Sequence, residues 1–569
     1  DDDLPPRSSR LLEAACTGVL ARIGPGGRTV LTVAPRGLGL RRLAGALASD
    51  PQLALHLRMA APEKLSAHVR RVGATELARE AVLGLHARWP ELSAVARGRH
   101  GLRWFAVLSG ITVFAAALAA PGKLLFAIEA FLGFAFLAWI GLRLHSCRIR
   151  PSPSPRLDLP GRLLPVYTII VPLYREAQML PQLIAALKRL DYPREKLDIK
   201  LVVEADDAET RAAVAGLGLG APFEEIVSPL AGPRTKPKAL AAALPFARGS
   251  FVVVYDAEDE PEPDQLRVAL AAFRDGPPEL ACVQSRLAVD NVTDSWLTRH
   301  FTAEYAGLFE VFLPALADLK LPLPLGGTSN HFRTETLREI GGWDPFNVTE
   351  DADLGMRLAR FGFRTGVIAS TTWEEAPARF MPWLRQRTRW FKGWMQTWLV
   401  HMRAPGQLKR ELGWRGFIAL QLIVGGTVLA ALVHPLFLGF VINDVVAGKF
   451  FSPSETADEM FRKGLALTTL VAGYVGSAIL GLVGLSRRRM LGIAWVLVTM
   501  PIYWLLLSLA AWRAVIQLVI APHVWEKTEH GLARSSHYAE TVEAALPVSR
   551  PLRAAAASRP RPRPPSVSY

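Results

Sequence analysis

The run Val166-Tyr167-Thr168-Ile169-Ile170-Val171 sets the structural class of the central part of this chain. Apolar and β-branched residues dominate it without the polar alternation of a half-exposed strand, which is typical of a parallel strand buried on both faces. The segment Pro172-Leu173-Tyr174-Arg175-Glu176 follows directly. The sequence therefore predicts a buried strand that carries polar side chains at its carboxyl end.

Two further strand-like runs repeat this arrangement downstream. Residues 197–203 lead into Glu204 and Asp206, and residues 251–255 lead into Asp256. Strands that alternate with helices predict a doubly wound α/β sheet, and such sheets bind ligands beyond the carboxyl ends of their strands. We therefore expect a functional site where these polar residues meet.

Asp256 and Glu258 are separated by one residue at a predicted strand end, and Asp259 follows at once. Two carboxylates in this arrangement can hold a hard divalent cation whose remaining ligands come from a diphosphate. Either Glu258 or Asp259 would complete such a site with Asp256. An acidic surface turn is the alternative, since Glu260 and Glu262 continue the charge.

The segment Gln386-Arg387-Thr388-Arg389-Trp390 precedes a long hydrophobic run. An arginine can donate two parallel hydrogen bonds to a diphosphate, and a tryptophan offers a flat face on which a sugar ring stacks. A basic amphipathic helix lying on a membrane explains the same residues equally well when the segment is taken alone. The upstream acidic motifs, among them Thr349-Glu350-Asp351, favour the first interpretation.

The composition indicates a membrane protein. Hydrophobic residues make up 50% of the 569 residues, and 66 Lys and Arg against 51 Asp and Glu give a net charge of +15. The basic residues gather beside apolar runs, as in 143–150 and 487–489, which fits the positive-inside rule better than a nucleic-acid surface. Three widely spaced cysteines predict neither a disulfide framework nor a zinc site.

Five apolar runs approach or exceed the length of about 20 helical residues that crosses a bilayer. They are residues 102–120, 124–144, 416–442, 465–485 and 490–521. The first two predict a helical hairpin in which Glu129 faces another helix. The last predicts a span followed by an interfacial helix, with Arg513 reaching toward the membrane surface.

These observations divide the chain into seven segments. Residues 1–100 predict a small soluble α/β or mostly helical domain, with a strand at 29–34 and helices near 40–48, 63–71 and 75–88. The other segments are a transmembrane hairpin (101–145), a linker (146–165), a catalytic domain (166–377), interfacial helices (378–412), a C-terminal transmembrane region (413–521) and a cytoplasmic segment with a disordered basic tail (522–569).

The order and spacing of these motifs resemble the membrane-embedded family 2 glycosyltransferases, the group that includes cellulose synthase, over about residues 160–400. The resemblance implies a GT-A-like nucleotide-sugar transferase domain inserted between transmembrane α-helices. It implies an inverting enzyme, multi-pass in the bacterial inner membrane with a cytoplasmic catalytic domain. This enzyme would polymerise a β-linked polysaccharide, by default a glucan, from a UDP-sugar and move it through its own helices.

Two alternatives remain open. A non-processive transferase would add a single sugar to a lipid or short glycan acceptor, and a non-enzymatic scaffold would have lost the reaction. The expected partners are the UDP-sugar donor, a growing glycan acceptor and membrane lipid, but no nucleic acid. Residues 1–100 offer a place for an export or regulatory partner.

The resemblance also implies roles for single residues. Asp351 is the expected catalytic base, and Asp256 and Glu258 are expected to hold Mg²⁺ or Mn²⁺. The residues expected to bind the UDP-sugar are Tyr174, Glu176, Asp206, Lys238 and Arg389, with Lys236 as an alternative to Lys238. The residues expected to contact the acceptor are Glu350, Gln386 and Trp390. The segment Trp525-Glu526-Lys527-Thr528 is expected either to close over UDP or to form a solvated loop.

Overall fold

The computed structural model describes residues 8–23, 29–35, 38–95, 118–150, 155–450, 452–454, 456–527 and 533–535. Its first unit contains a three-stranded sheet of β1 (Val19–Ile23), β2 (Thr29–Val33) and β3 (Leu57–Met59). The helices of this unit are α1 (Ser8–Thr17), α2 (Leu38–Ser49), α3 (Pro62–Val72) and α4 (Ala74–Arg88). The strand expected at 29–34 and the three expected helices are all present.

The central domain contains the remaining strands. They are β4 (Tyr167–Leu173), β5 (Leu197–Glu204), β6 (Phe223–Ser228), β7 (Phe251–Val254), β8 (Glu260–Pro261), β9 (Leu280–Val289), β10 (Asn330–Arg333) and β11 (Arg364–Glu374). They form one eight-stranded sheet in the order β6-β5-β4-β7-β10-β9-β11-β8. β5 is buried along its whole length, so the two charged side chains near its amino end, Asp198 and Lys200, are buried as an ion pair at 2.9 Å.

The sheet is mixed rather than wholly parallel. β4 to β7 run parallel, as the doubly wound pattern predicts, whereas β10 runs antiparallel to both of its neighbours, β7 and β9. Because β10 reverses the direction, β9 and β11 again point the same way as β7. The carboxyl ends of β4, β5, β7, β9 and β11 therefore share one edge of the sheet.

Helices cover the sheet and extend from it. Those of the central domain are α6 (Leu180–Lys188), α7 (Ala208–Gly216), α8 (Lys236–Ala243), α9 (Gln265–Asp275), α10 (Trp296–Gly307), α11 (Leu313–Asp318), α12 (Thr334–Glu339), α13 (Glu350–Arg360) and α14 (Phe380–His401), preceded along the chain by α5 (Pro121–Ser146). A π-helical turn, Leu308–Phe312, joins α10 to α11. After α14 come α15 (Pro405–Leu420), α16 (Thr427–Val446), α17 (Ala457–Arg487) and α18 (Met500–Ile520).

Four helical segments among the described residues are long and apolar enough to cross a membrane: Pro121–Ser146, Pro405–Val446, Ala457–Arg487 and Leu491–Ile520. The first predicted span, 102–120, lies almost wholly outside the described residues. Residues 490–521, expected to form a span followed by an interfacial helix, contain a 3₁₀ segment at Leu491–Thr499 that leads directly into α18, and the two together are one candidate span. Pro501, in the first turn of α18, favours this start.

α5 and α17 pack side by side and run in the same direction. Near their beginnings Glu129 accepts a hydrogen bond from Arg462 at 2.9 Å, and near their ends Arg143 donates to the Ser477 hydroxyl at 3.3 Å. The expectation that Glu129 faces another helix is confirmed. The basic residues that follow both helices therefore lie at the same end of the pair.

Candidate active site

The carboxyl edge of the central sheet borders a cavity of about 440 Å³. Its lining includes Lys236, Asp256, Glu258, Gly327, Glu350, Asp351, Glu374, Gln386, Arg389 and Trp390. These residues are distant in sequence. β7 and β11 end at this edge and supply the acids that follow or end them, Gly327 precedes the antiparallel β10, and α8, α13 and α14 supply the other residues. The structure thus brings together the acidic motifs and the Gln386–Trp390 segment.

The turn after β7 gives different environments to Glu258 and Asp259, the two residues that the sequence offered as the second metal ligand beside Asp256. Asp259 folds back into the turn, where its Oδ2 accepts hydrogen bonds from the Asp256 amide, at 2.6 Å, and from the Thr328 hydroxyl. Glu258 lines the cavity with Asp256. Burial, followed by repulsion from Asp256 and Asp259, raises the pKa of Glu258 well above its usual range. Glu258 is thus placed to share a ligand with Asp256, while Asp259 shapes the turn.

This donor set fits a divalent cation that also binds a diphosphate. Asp256 and Glu258 are hard oxygen donors held together against their mutual repulsion, which a cation would relieve. Among the described residues no group of three His, Cys, Asp or Glu side chains is arranged to hold a metal by itself. The two carboxylates would hold the cation only with phosphate oxygens as further ligands, and the cation would stabilise the charge of the departing diphosphate.

The two lysines at the start of α8 lie in different environments. Lys238 is fully buried, pairs with Glu204 at 2.9 Å and donates to the Pro229 carbonyl at 2.7 Å. Lys236 lines the cavity, forms an ion pair with Asp256 and donates to a backbone carbonyl across the cavity at 2.8 Å. Of the two lysines that the sequence offered for the diphosphate, the structure thus places Lys236 in the cavity lining and Lys238 outside it. α8 begins at Lys236, so this side chain stands at the open end of the helix and Lys238 faces β5.

Glu350 and Asp351 begin α13 and face the same cavity. Gly327 lies beside this carboxylate, since a Cβ added there would be 3.4 Å from Oδ2 of Asp351. Burial raises the pKa of Asp351, although the charges of Lys236 and Arg389 oppose the shift. Burial and the neighbouring Asp351 raise the pKa of Glu350 to about 8. A carboxylate with a raised pKa is a stronger proton acceptor near neutral pH once it is ionised.

Gln386, Arg389 and Trp390 stand at positions i, i+3 and i+4 of α14, so all three face the cavity. The Arg389 guanidinium lies over the Trp525 ring at 4.4 Å. Trp390 is nearly parallel to the Tyr305 ring, with 6.4 Å between the ring centroids. Gln386 Oε1 is buried and has no hydrogen-bond partner in the described part of the chain, which suits a site that receives a hydroxyl group from a ligand.

Tyr174, Glu176 and Asp206 lie beyond the ends of β4 and β5, beside the cavity rather than in its lining. Lys527 fills the space next to them, because its ammonium pairs with Glu176 at 3.0 Å and donates to the Tyr174 carbonyl. Asp206 pairs with Arg234. Burial raises the pKa of Glu176, against the charge of Lys527. Tyr174, Glu176 and Asp206 thus lie beside the cavity, and Lys527 contacts the first two of them.

Residues 521–527 follow α18 and are called the strap. Lys392 donates to the Val524 carbonyl at 2.7 Å, and His523 bonds the Phe346 carbonyl through Nδ1 at 2.9 Å. These contacts hold the strap across the site, where it places Trp525 on Arg389 and Lys527 on Glu176. Residues 525–527 are therefore not a solvated loop; Thr528 lies outside the described residues.

Sequence reasoning missed Glu374 and Tyr305. Glu374 ends β11 at the same edge as Asp256, and it accepts a hydrogen bond from the Tyr305 hydroxyl. Burial raises the pKa of Glu374 to about 7, although that hydrogen bond opposes the shift. A usable signal existed: residues 364–373 are a strand-like run that ends in an acid, the rule that identified Asp256.

The cavity continues between the apolar helices. Its lining there includes Trp139, Arg143, Thr427, His434, Thr469, Tyr474, Ser477, Tyr503 and Trp504. His434 Nε2 is 2.7 Å from the Tyr474 hydroxyl, and Tyr474 stacks on Trp504 with 4.9 Å between the ring centroids. Arg143 Nε, His434 Nδ1 and Thr469 Oγ1 are buried without hydrogen-bond partners among the described residues. This part of the cavity thus combines aromatic faces with unused polar atoms.

Comparisons with known proteins bear on the central domain. Residues 165–393 match the family model described as Glycosyltransferase like family 2. The chain is 26% identical over 288 residues to the probable glycosyltransferase YdaM of Bacillus subtilis, a match that covers 48% of this chain and 66% of that protein. It is 25% identical over 296 residues to the beta-monoglucosyldiacylglycerol synthase of Synechocystis sp., covering 49% of this chain and 60% of that protein. The chain thus spans less than two thirds of the length of either relative.

Among solved structures, the mannosyltransferase PcManGT from Pyrobaculum calidifontis, in complex with GDP-Man and Mn²⁺, aligns with a TM-score of 0.45 and 19% identity. That alignment covers 69% of this chain and 99% of the mannosyltransferase. The segment matched by the family model, 165–393, contains the acidic motifs, Lys236 and the Gln386–Trp390 segment.

Proposed function

We propose that residues 165–393, which match the family model described as Glycosyltransferase like family 2, form a glycosyltransferase domain that polymerises a β-linked polysaccharide, by default a glucan, from a cytoplasmic UDP-sugar. The lengthening chain would pass into the cavity between the membrane helices. This places the catalytic domain on the cytoplasmic side of a bacterial inner membrane, with the helices before and after it in the bilayer. The protein would then belong with the processive, cellulose synthase-like enzymes.

The proposed reaction is a single displacement with inversion. The acceptor hydroxyl oxygen attacks the anomeric carbon of the donor, and the bond from that carbon to the diphosphate oxygen breaks. Asp351 takes the hydroxyl proton, for which its raised pKa suits it. Lys236 and Arg389 would stabilise the negative charge that develops on UDP. When bound, a divalent cation held by Asp256 and Glu258 supplies further stabilisation of that charge.

The observation that carries the proposal is the continuity of one cavity. Its lining runs from Asp351 and Trp390 to His434 and Thr469 in helices long enough to cross a membrane. A growing polar chain needs an enclosed path through lipid. The unused polar atoms of His434 and Thr469 would find partners in sugar hydroxyls, and the faces of Tyr474 and Trp504 would stack on sugar rings.

A second candidate is the transfer of one sugar to a lipid acceptor. The cavity wall between the helices also contains Ile140, Ile423, Leu470 and Leu507, which suit an alkyl chain. One relative is named a beta-monoglucosyldiacylglycerol synthase, an activity in which the acceptor is a lipid. This candidate uses the same transfer residues and differs only in what enters the helical part of the cavity.

Product size separates the two candidates. The purified full chain in lipid nanodiscs would receive radiolabelled UDP-glucose with Mg²⁺, and the products would be divided by organic extraction and size-exclusion chromatography. A ladder of high-mass, water-soluble glycan supports the polymerase. A labelled product that carries one sugar and enters the organic phase supports the lipid transferase and overturns the polymerase. UDP release no greater than that of Asp351→Asn would overturn both.

A further inference from the structure

A second cavity, of about 670 Å³, lies where α5 and α17 end against the catalytic domain. Its lining consists of Cys147, Arg148, Arg150, Arg286, Glu310 and Arg487, so four arginines face one glutamate. None of these residues lines the active-site cavity. The second cavity is therefore separate and strongly positive, and the proposed transfer reaction gives it no role.

Glu310 is the one carboxylate in this lining, and two arginines share it. Its oxygens pair with Arg286 at 2.8 Å and with Arg488, just behind the lining, at 3.1 Å. Arg487 is held by the backbone, since it donates to the carbonyls of Glu310 and, at 2.8 Å, Ile149. Most of the positive charge around the cavity thus lacks a counter-charge in the lining.

Two of the guanidinium groups also have unused donors. Arg286 Nε and Arg488 Nη1 are buried and have no hydrogen-bond partner among the described residues. The Arg488 side chain is 8% exposed, and burial lowers its pKa even though Glu310 opposes the shift. Burying a cationic donor without an acceptor is unfavourable. A ligand with several anionic oxygens would satisfy these groups, as phosphate does with arginine.

The position of the cavity indicates the source of that ligand. α5 and α17 run in the same direction, and the cavity lies at their shared C-terminal ends, on the side of the catalytic domain. α17 exposes Ile479 and Leu482 within about two turns before Arg487. Basic pockets between membrane helices on the cytoplasmic side suit lipid headgroups. We propose that this cavity binds the phosphate headgroup of an anionic phospholipid whose acyl chains lie along α17.

One short element joins this site to the active-site cavity. In the π-helical turn Leu308–Phe312, Glu310 faces the arginines, whereas Leu308, Phe309 and Phe312 line the active-site cavity. A bound phosphate competes with Glu310 for the same guanidinium groups. Binding of the lipid is thereby linked to the position of the turn, and through the turn to the wall against which the acceptor lies.

Cys147 reports occupancy directly, because its thiol lines the proposed site. The full chain would be placed in nanodiscs of phosphatidylcholine alone or with phosphatidylglycerol, and labelling by N-ethylmaleimide would be quantified for each cysteine-containing peptide. Phosphatidylglycerol is expected to slow the labelling of Cys147 about fivefold or more, the effect of roughly one or more basic contacts. Cys16, in the N-terminal unit, is the internal control and should not change.

Two variants test the arginines. The double variant Arg148→Gln/Arg150→Gln removes exposed charges at the rim and leaves the Glu310 pairs in place. Arg286→Gln removes a buried contact but leaves Glu310 paired with Arg488. Each lost arginine should weaken retention of phosphatidylglycerol in native mass spectrometry about fivefold. Arg489→Gln is the matched control, because Arg489 belongs to the same arginine run, is exposed and lies outside the lining.

If Arg286→Gln does not fold, the rim double variant decides the matter alone. Equal protection of Cys147 by phosphatidylglycerol and phosphatidylcholine would overturn the proposal. Undiminished protection and retention in the rim double variant would overturn it as well. Inorganic phosphate that protects Cys147 at the same concentration as phosphatidylglycerol would assign the cavity to a soluble phosphate and overturn the lipid assignment.

Discussion

At the amino edge of the central sheet, Lys200 pairs with Asp198 at 2.9 Å and with Glu224 at 2.6 Å, and Arg248 pairs with Glu224 at 2.9 Å. We call these four residues the paired network. Burial alone would raise the pKa values of Asp198 and Glu224, but the two cations outweigh it and lower them. At the carboxyl edge of the same sheet, burial instead raises the pKa values of Glu258, Glu350, Asp351 and Glu374.

The site acids at that carboxyl edge are Asp256, Glu258, Glu350, Asp351 and Glu374. They outnumber the cations near them, Lys236, Arg387 and Arg389, so burial and repulsion are not fully offset. Buried charge thus serves two purposes in one sheet. Where the charges balance they fix the fold, and where acids are in excess they are available to a cation, a proton or a ligand.

The largest expected effect comes from removing the base. Asp351→Asn keeps the size of the side chain and removes its proton acceptor, so sugar transfer should fall about 10³-fold or more. UDP affinity, measured by titration calorimetry, should remain largely intact. Asp198→Asn in the paired network is the matched control and should lower stability more than the rate of the folded enzyme. Normal turnover by Asp351→Asn would contradict its role as the base, and with it the distinction between an edge that acts in transfer and an edge that stabilises the fold.

The paired network should respond in the opposite way. Lys200→Met leaves Asp198 and Glu224 buried with one cation instead of two, which should lower the free energy of unfolding by about 3–5 kcal/mol. Thermal and denaturant unfolding of the purified protein would measure this loss. Lys236→Met, at the other edge, should change stability much less. Similar losses of unfolding free energy in both variants would mean that the two lysines stabilise the fold to the same extent.

Metal dependence tests the excess of acids at the carboxyl edge. Chelation should lower transfer about 100-fold, because a bound cation supplies several kcal/mol of charge stabilisation. Asp256→Ala and Glu258→Ala should each lose the response to added Mg²⁺ or Mn²⁺. Asp259→Ala should retain that response but unfold more easily, since its carboxylate caps the turn. Full activity in excess chelator would exclude the metal, and tolerance of Glu258→Ala alone would move the role to Asp259.

The two edges should also respond to pH with opposite signs. The pKa of Glu350 is raised from 4.5 to about 8, so the stability this group contributes is complete below pH 4.5 and is lost as pH rises to 8. The lowered pKa values of Asp198 and Glu224 give stability that is lost on acidification instead. Glu350→Gln should therefore stabilise the protein at pH 8.5 relative to pH 5.5, by about 2 kcal/mol after compensation by neighbouring groups. Parallel pH profiles of wild type and variant would contradict this.

The smallest expected effect separates the acceptor from the donor. Trp390→Ala should reduce elongation roughly tenfold, because the lost sugar contact is worth about 1–2 kcal/mol, and should leave UDP binding nearly unchanged. Arg389→Ala should weaken both, since the diphosphate is present in donor and product. Trp414→Ala, at an exposed tryptophan, is the control. If Trp390→Ala loses as much UDP affinity as Arg389→Ala, the acceptor role of Trp390 is wrong.

The sequence predicted the elements whose pattern is local. The strands at 166–171, 197–203 and 251–255 appear as β4, β5 and β7, because runs rich in apolar and β-branched residues, interrupted in 197–203 only by Asp198 and Lys200, favour buried strands. The antiparallel β10 was not predicted. Its direction depends on hydrogen bonds to β7 and β9, which are distant in the chain.

The site residues divide in the same way, into those that the sequence identifies and those whose position depends on distant contacts. The family resemblance identified Asp351 and Arg389, and both line the cavity. It could not separate Lys236 from Lys238. Side chains two residues apart on a helix point in nearly opposite directions, so which lysine faces the cavity depends on where α8 begins. The strap lies across the site through contacts with α14 and the Phe346 carbonyl, and no pattern within residues 521–527 encodes those partners.

The π-helical turn Leu308–Phe312 makes the two cavities depend on one short stretch of sequence. A π turn holds one residue more than the α-helical turn it interrupts. Deleting one residue from it would restore regular winding and change the directions in which the side chains of the turn point. Glu310 and the phenylalanines could then not all keep the sides of the helix that they occupy. Substitutions can therefore alter the lining of either cavity separately, whereas a deletion in this turn would alter both at once.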